Sequence, residues 1–267
     1  MRIQGNSMKT LLALTLAALL VTQVASAEII EKKVPYTLDG VQFEGVLVYD
    51  DDIDEPAPAV LMVPNWMGVT DASIEKAKKL ADDDYVFFVA DMYGVDVRPQ
   101  NSSEAGKAAG TVRADRDMMR ARAQKALNVL LAQEAPINKS QTAAIGFCFG
   151  GGTVLELARS GADLDAVVSF HGDLASPTLA VDSGNIQGSV LVLHGADDPF
   201  VPQSDVQAFV AAMMETDVDW QLVQFSNTVH SFTDPHANMP GKAEYNALSA
   251  KRAFAYMDEL FDEKFSD

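Results

Sequence analysis

The stretch Ala143-Ala144-Ile145-Gly146-Phe147-Cys148-Phe149-Gly150-Gly151-Gly152-Thr153-Val154 sets the chain's only cysteine among glycines at the foot of an apolar run. The run Ala143 to Gly146 reads as a buried strand, and Gly151 to Arg159 as the helix that leaves the turn. Strand, tight turn and helix, with glycines flanking one central residue, form the pattern G-x-S-x-G with cysteine in place of serine. The glycines have a steric job: side chains at 146, 150 or 151 would hold the helix away from the strand. The helix start also aims free amides and the positive end of its dipole at the sulfur, which favours thiolate. Taken alone, the stretch favours the elbow over a small buried core thiol beside a glycine-rich turn. A dinucleotide site fits less well, because GFCFGGG lacks G-x-G-x-x-G.

The surrounding chain supplies a context for that turn. Two alternating strands, near Ile29 to Leu38 and Val41 to Tyr49, precede apolar runs at Ala59 to Val63 and Val86 to Ala90. Further runs follow at Ala166 to Phe170, Val190 to His194 and Trp220 to Phe225. Helical periodicity marks Ile74 to Leu80, Arg116 to Leu131, Ser204 to Met214 and Glu244 to Leu260. Strands buried on both faces and alternating with helices predict an α/β fold, a mostly parallel sheet flanked by helices on both faces. In such a sheet, chemistry sits beyond the carboxyl ends of the strands.

Residues 1–27 have the form of a cleaved signal peptide. Arg2 and Lys9 give the positive end, Leu11 to Val24 the apolar middle, and Ala25-Ser26-Ala27 the small-residue cleavage site. Translation from Met8 would give the same mature chain, beginning at Glu28. The apolar run is shorter than the roughly 20 residues of a membrane span. The expectation is a periplasmic or secreted protein with a single domain over residues 28–267 and no membrane partner after cleavage. The 267 residues carry 38 acidic and 20 basic side chains, a formal charge of −18. Such a surface repels nucleic acid and anionic lipid, which excludes those partners and favours solubility as a monomer or small homo-oligomer.

An exported chain with one cysteine cannot make an internal disulfide, so Cys148 is an inert buried thiol, half of an intermolecular bridge, or a nucleophile. No metal is expected, because His171, His194, His230 and His236 are scattered without ligand spacing. A nucleophilic thiol needs a base, and the base an orienting acid, in the chain order nucleophile, acid, histidine. The stretch LVLHGADDPFVP, residues 191 to 202, ends a strand and offers Asp198; its neighbour Asp197 reads as turn chemistry. NTVHSF, residues 227 to 232, puts His230 in the loop after the last long strand. Cys148, Asp198 and His230 therefore form a candidate triad.

Together VPNWMGV (63–69), ADMYGV (90–95), GFCFGG (146–151), VVSFHG (167–172), DDPFVP (197–202) and TVHSF (228–232) resemble the dienelactone hydrolase family of the α/β-hydrolase fold. The resemblance implies a cofactor-free cysteine hydrolase that cleaves small-molecule esters or lactones through an acyl-thioester. It also implies an oxyanion hole made by the backbone amides of Phe149 and Trp66, and a substrate pocket that includes Asn65, Phe170 and Ser231. Family members that cleave dienelactone carry glutamate where this chain has Asn65, and tyrosine where it has Phe170. They also use an arginine for the substrate carboxylate, for which Arg113 and Arg116 lie in a plausible region. Asn65 supports an alternative reading, a non-catalytic exported binding protein that keeps the fold.

Overall fold

A computed structural model describes residues 28–81 and 84–266. The expected leader, residues 1–27, lies outside these residues, as do Asp82 and Asp83. The chain opens with a hairpin, β1 (Ile29–Leu38) and β2 (Val41–Asp50), in antiparallel register from Leu38 opposite Val41 to Ile29 opposite Asp50. Its two-residue turn, Asp39-Gly40, holds φ of 49° and 79°, the left-handed pair that matches strand twist and that Asp-Gly adopts readily. Then follow β3 (Ala57–Val63), α1 (Asp71–Ala81), β4 (Val86–Val89), α2 (Ser102–Ala114), α3 (Arg116–Leu131), β5 (Ile137–Phe147) and α4 (Phe149–Arg159). The second half is β6 (Ala166–Phe170), the single-turn α5 (Leu179–Asp182), β7 (Ser189–Gly195), α6 (Gln203–Met214) and β8 (Trp220–Phe225). A two-stranded ribbon, β9 (Asn238–Met239) with β10 (Ala243–Glu244), precedes α7 (Ala247–Phe265).

The eight long strands form one sheet in the order β1-β2-β4-β3-β5-β6-β7-β8. The six strands from β4 to β8 run parallel, while β2 meets β4 antiparallel. Side-chain alternation divides the core between two faces. Leu61 and Val63 of β3 point into the layer built on α2, α3, α4 and α6, with Phe88, Leu127, Val154 and Phe209. Val60 and Met62 point into the other layer, under α1 and α7, with Phe87, Ile145, Met257 and Phe261. Two faces covered by helices leave these strands no polar side, which is why their sequences are continuous apolar runs.

Beyond the short α5, β9 and β10, three longer elements depart most from expectation. Helix α2 was not anticipated, because its buried stripe is Ala105, Ala108, Ala109 and Val112 rather than large apolar residues. It is held instead by its ends: Asn101 caps the Glu104 amide at 3.0 Å, and Asp115 ends α2 and caps α3 at Met118. Strand β5 starts six residues earlier than the apolar run, pairing Ile137 with Ala57 and restoring register past an irregularity at Pro58/Ala59. Helix α7 begins at Ala247 rather than Glu244, since Glu244 pairs in β10 and Asn246 caps the helix at Ser249. Among the described residues no helix is long and apolar enough to cross a membrane.

Candidate active site

The turn between β5 and α4 is as tight as its glycines require. Cys148 holds φ 55° and ψ −116°, a left-handed conformation that costs a non-glycine residue on the order of 1–3 kcal/mol. A Cβ on Gly150 would lie 2.0 Å from the Val63 carbonyl oxygen, and one on Gly146 would lie 2.1 Å from the Gly150 oxygen. Backbone therefore meets backbone on both sides of the cysteine. The Cys148 amide donates both to the Phe170 carbonyl at 3.0 Å and to Nδ1 of His171 at 3.1 Å.

The loops after β7 and β8 bring the other two expected residues together. Nδ1 of His230 and Oδ2 of Asp198 are 2.7 Å apart and buried. The second carboxylate oxygen, Oδ1, accepts the Phe200 amide at 2.8 Å, which fixes the plane of the group. Asp197 points to solvent and serves the turn, its amide bonded to the Thr228 carbonyl at 3.0 Å. The β10 ribbon clamps the His230 backbone: its amide donates to Lys242 and its carbonyl accepts from Glu244, each at 3.1 Å. Phe200 and His171 each stand edge-on to the imidazole, at 5.2 Å between ring centres.

Electrostatics couple the thiol to this imidazole. Burial alone pushes the Cys148 thiol up; hydrogen bonding to His230, the charges of His230 and Arg113, and the Phe149 amide outweigh it and hold the thiol below its ordinary value. Burial pushes His230 down, and Asp198 together with the cysteine reverses that, raising it to about 10. Both shifts favour the same state, a thiolate beside an imidazolium.

The Phe149 amide, next in the chain after Cys148 at the start of α4, is among the groups that hold the thiol down. Trp66 sits in the turn after β3, where the Asn65 carbonyl accepts the Gly68 amide at 2.9 Å and Asn65 Oδ1 accepts the Met67 amide at 3.0 Å. Tyr93 secures the same turn by donating its hydroxyl to the Trp66 carbonyl at 2.9 Å. Among the described residues no acceptor takes the Trp66 amide. Asn65 thus holds the turn with its side chain while lining a cavity of about 670 Å³.

Ser231, with φ 57°, lines the same cavity. Phe170, expected at the pocket wall, does not. Its ring is fully buried, stacked on Phe147 at 4.7 Å and packed against Phe254 at 5.1 Å, and it is Phe147 and Phe254 that face the cavity. Arg113 lies on the other side of the elbow, over the Phe149 ring at 5.4 Å and 3.7 Å from Asp173, while Arg116 donates to the Ala175 carbonyl at 3.2 Å.

His194 is buried, and that burial holds it below its ordinary value; His236 is exposed. The residue that sequence reasoning missed is His171. It is buried at φ 40°, and Nε2 lies 2.8 Å from the Thr233 hydroxyl. Because Nδ1 accepts the Cys148 amide, Nε2 carries the proton and donates. Burial first, then the charges of His230 and Lys76, hold His171 well below the ordinary histidine value, so it stays neutral. Its sequence signal was only its place directly after a buried strand. Among the described residues, the side chains close enough together to share a metal ion are Asp50, Asp51 and Asp52, at the sheet edge opposite the cleft.

A parallel sheet with its sharp turn after β5, and an aspartate and a histidine from the next loops at the same edge, has the architecture of an α/β-hydrolase. The chain belongs to the Dienelactone hydrolase family, which it matches over residues 43–265. The solved structure named m3DLH is 38% identical, covers 89% of this chain and 99% of its own, and superposes with a TM-score of 0.83. The dienelactone hydrolase-like promiscuous phosphotriesterase P91 from metagenomic libraries is 40% identical, with the same coverages and a TM-score of 0.82. A putative carboxymethylenebutenolidase of Salmonella typhimurium is 29% identical over 123 residues, which is 43% of this chain and 44% of that protein. An uncharacterized protein of Caenorhabditis elegans is 33% identical over 155 residues, 55% of this chain and 95% of its own length.

Proposed function

We propose that this hydrolase cleaves carboxylic esters or lactones with Cys148 as nucleophile, His230 as base and acid, and Asp198 as the group that orients His230. The observation that carries the reading is the 2.7 Å contact between His230 and Asp198, buried beside a cysteine held in a strained turn. Strain of that kind persists where the surroundings over-determine it, and it presents the sulfur to the cleft.

The thiolate attacks the substrate carbonyl, forming the C–S bond and moving the carbonyl electrons onto oxygen. The Phe149 and Trp66 amides hold that oxyanion, the contribution that is usually largest in acyl transfer. As the carbonyl re-forms, the ester C–O bond breaks and the leaving oxygen takes the proton from imidazolium His230. A water then yields its proton to His230 and its hydroxide to the thioester. The C–S bond breaks, the acid departs, and the thiolate-imidazolium pair returns. Asp198 holds the imidazole by Nδ1 throughout.

The test is turnover of p-nitrophenyl acetate by the mature chain and by Cys148→Ser; equal rates in the two proteins contradict the reading. Likeness to P91 supports a phosphotriester such as paraoxon as a second substrate for the same pair of proteins, since phosphorus would meet the same thiolate. We place the mature enzyme in the periplasm or outside the cell, beginning at Glu28, on the strength of the leader pattern in residues 1–27. An intact mass that retains the leader contradicts that placement.

A further inference from the structure

The two expected oxyanion donors come from different elements, and one buried side chain touches both of the residues that carry them. Phe149 opens α4 after β5, while Trp66 lies in the turn after β3. Tyr93, in the loop after β4, is buried and reaches each. Its ring lies 5.6 Å from the Phe149 ring, centre to centre, and its hydroxyl donates to the Trp66 carbonyl at 2.9 Å. Strand β3 runs between β4 and β5 in the sheet, so Tyr93 crosses beneath the Trp66 turn to meet the start of α4.

The hydroxyl acts on a single peptide group. Tyr93 holds the carbonyl of the peptide between Trp66 and Met67, and Asn65 Oδ1 holds its N–H at 3.0 Å. That plane is pinned at both ends, and the Trp66 amide is one Cα away from it. The ring sets a second limit. Gly68 closes the turn at φ 75°, and a Cβ there would lie 3.1 Å from the Tyr93 ring, so the turn rests directly on it. Burial pushes the Tyr93 hydroxyl well above its ordinary value; the charge of Arg113 opposes this, and those of Cys148 and Asp91 add to it. The group therefore keeps its proton and remains a donor.

Tyr93 is itself held from behind. Asp91, almost fully buried, accepts the Tyr93 and Gly94 amides with Oδ1, each at 3.0 Å. Its Oδ2 takes the Glu44 amide at 3.1 Å and the Arg98 guanidinium at 2.8 Å, and Tyr36 of β1 donates to its carbonyl at 3.0 Å. Four N–H groups on one buried carboxylate leave this loop little freedom, and they tie the backbone under the ring to the β1–β2 hairpin.

An oxyanion hole needs each donor at about 2.7–3.1 Å from the charge it meets, so a small shift between two separately mounted donors is costly. We propose that Tyr93 is a positioning residue for the oxyanion hole, a strut that sets the separation and direction of the Trp66 and Phe149 amides. This rests on the ester or lactone hydrolase reading and deepens it. Tyr93 acts through the Trp66 carbonyl and the Phe149 ring and touches no reacting atom in this role.

The measurement is the ratio of two rate constants from one preparation: kcat/KM for p-nitrophenyl acetate over the second-order rate of Cys148 alkylation by iodoacetamide. Both need folded protein and a reactive thiol, so those quantities cancel, while only the ester passes through an oxyanion. Tyr93→Phe keeps the ring and removes the hydroxyl, and the ratio should fall about tenfold. A purely structural role would lower both rates together, and an unchanged ratio overturns the proposal. Exchange of the Met67 and Gly68 amides, followed by nuclear magnetic resonance, should be about fivefold faster in Tyr93→Phe, as expected for loss of one hydrogen bond. Exchange at the wild-type rate contradicts the strut. That measurement needs no turnover, so failure of the hydrolase reading is told apart from failure of this one.

Discussion

The backbone amide of Cys148 donates to Nδ1 of His171 at 3.1 Å, and the other ring nitrogen of His171 reaches Thr233, three residues beyond His230. One neutral imidazole thus joins the strained cysteine turn to the loop that carries the histidine. His171 is a positioning residue in this account. His171→Asn, which tolerates positive φ, should lower kcat about tenfold with little change in KM, because a small misplacement of reacting groups is costly.

The same histidine has a signature in stability. Its folded-state value is depressed, so its contribution is fully present above the ordinary histidine value of about 6.5 and is lost as pH falls below it. Chemical denaturation from pH 7.5 to 5 should therefore show a shallower acid decline for His171→Asn than for wild type. Parallel curves would contradict the buried neutral state.

Asp198 and Asp197 are adjacent and differ in kind. Asp198→Asn keeps the shape while removing the charge at Nδ1, and kcat should fall by about 10³-fold or more with the fold intact. Asp197→Asn, exposed on the turn, should stay within about twofold, as surface changes do. Reversed effects would mean that the other carboxylate serves the histidine.

Two glycines offer opposite outcomes. At Gly150 an added Cβ meets the Val63 carbonyl at 2.0 Å, backbone that cannot move aside, so Gly150→Ala should cost about 3 kcal/mol or prevent folding. At Gly110, exposed in α2, a Cβ meets nothing within 4 Å, and Gly110→Ala should stabilise by about 0.5–1 kcal/mol. Thermal melts of the two variants check both.

Asn65 has a structural reason to differ from glutamate: its Oδ1 holds the Met67 amide and so fixes the turn that presents Trp66. Asn65→Asp keeps the acceptor and should keep most activity, whereas Asn65→Ala should lower kcat more than it raises KM, by displacing an oxyanion donor. Steady-state kinetics with p-nitrophenyl acetate separates the two.

These sites were legible to different degrees. The turn at Cys148 could be read because close backbone approach restricts 146, 150 and 151 to glycine, a constraint written in residue identity. Asp198 and His230 could be read because the fold orders its loops along one sheet edge. Helix α2 could not, since alanine buries too little to mark a stripe. Phe170 was misplaced because a fully buried strand has apolar residues on both faces and alternation no longer tells cavity from core. His171 escaped notice because its partners, Cys148 and Thr233, come from distant parts of the chain, and no spacing records such contacts.

The central claim is that Cys148 rests as a thiolate paired with His230, and the rate of its alkylation by iodoacetamide against pH tests that most directly. The chain has one cysteine, so every alkylated thiol is Cys148. The account predicts a wild-type midpoint well below the roughly 8.5 of a free thiol. His230→Ala removes the largest of the influences that oppose burial and leaves Arg113 and the Phe149 amide, so its midpoint should rise toward that value. A wild-type midpoint at that of a free thiol, or one that His230→Ala leaves in place, would contradict the resting pair.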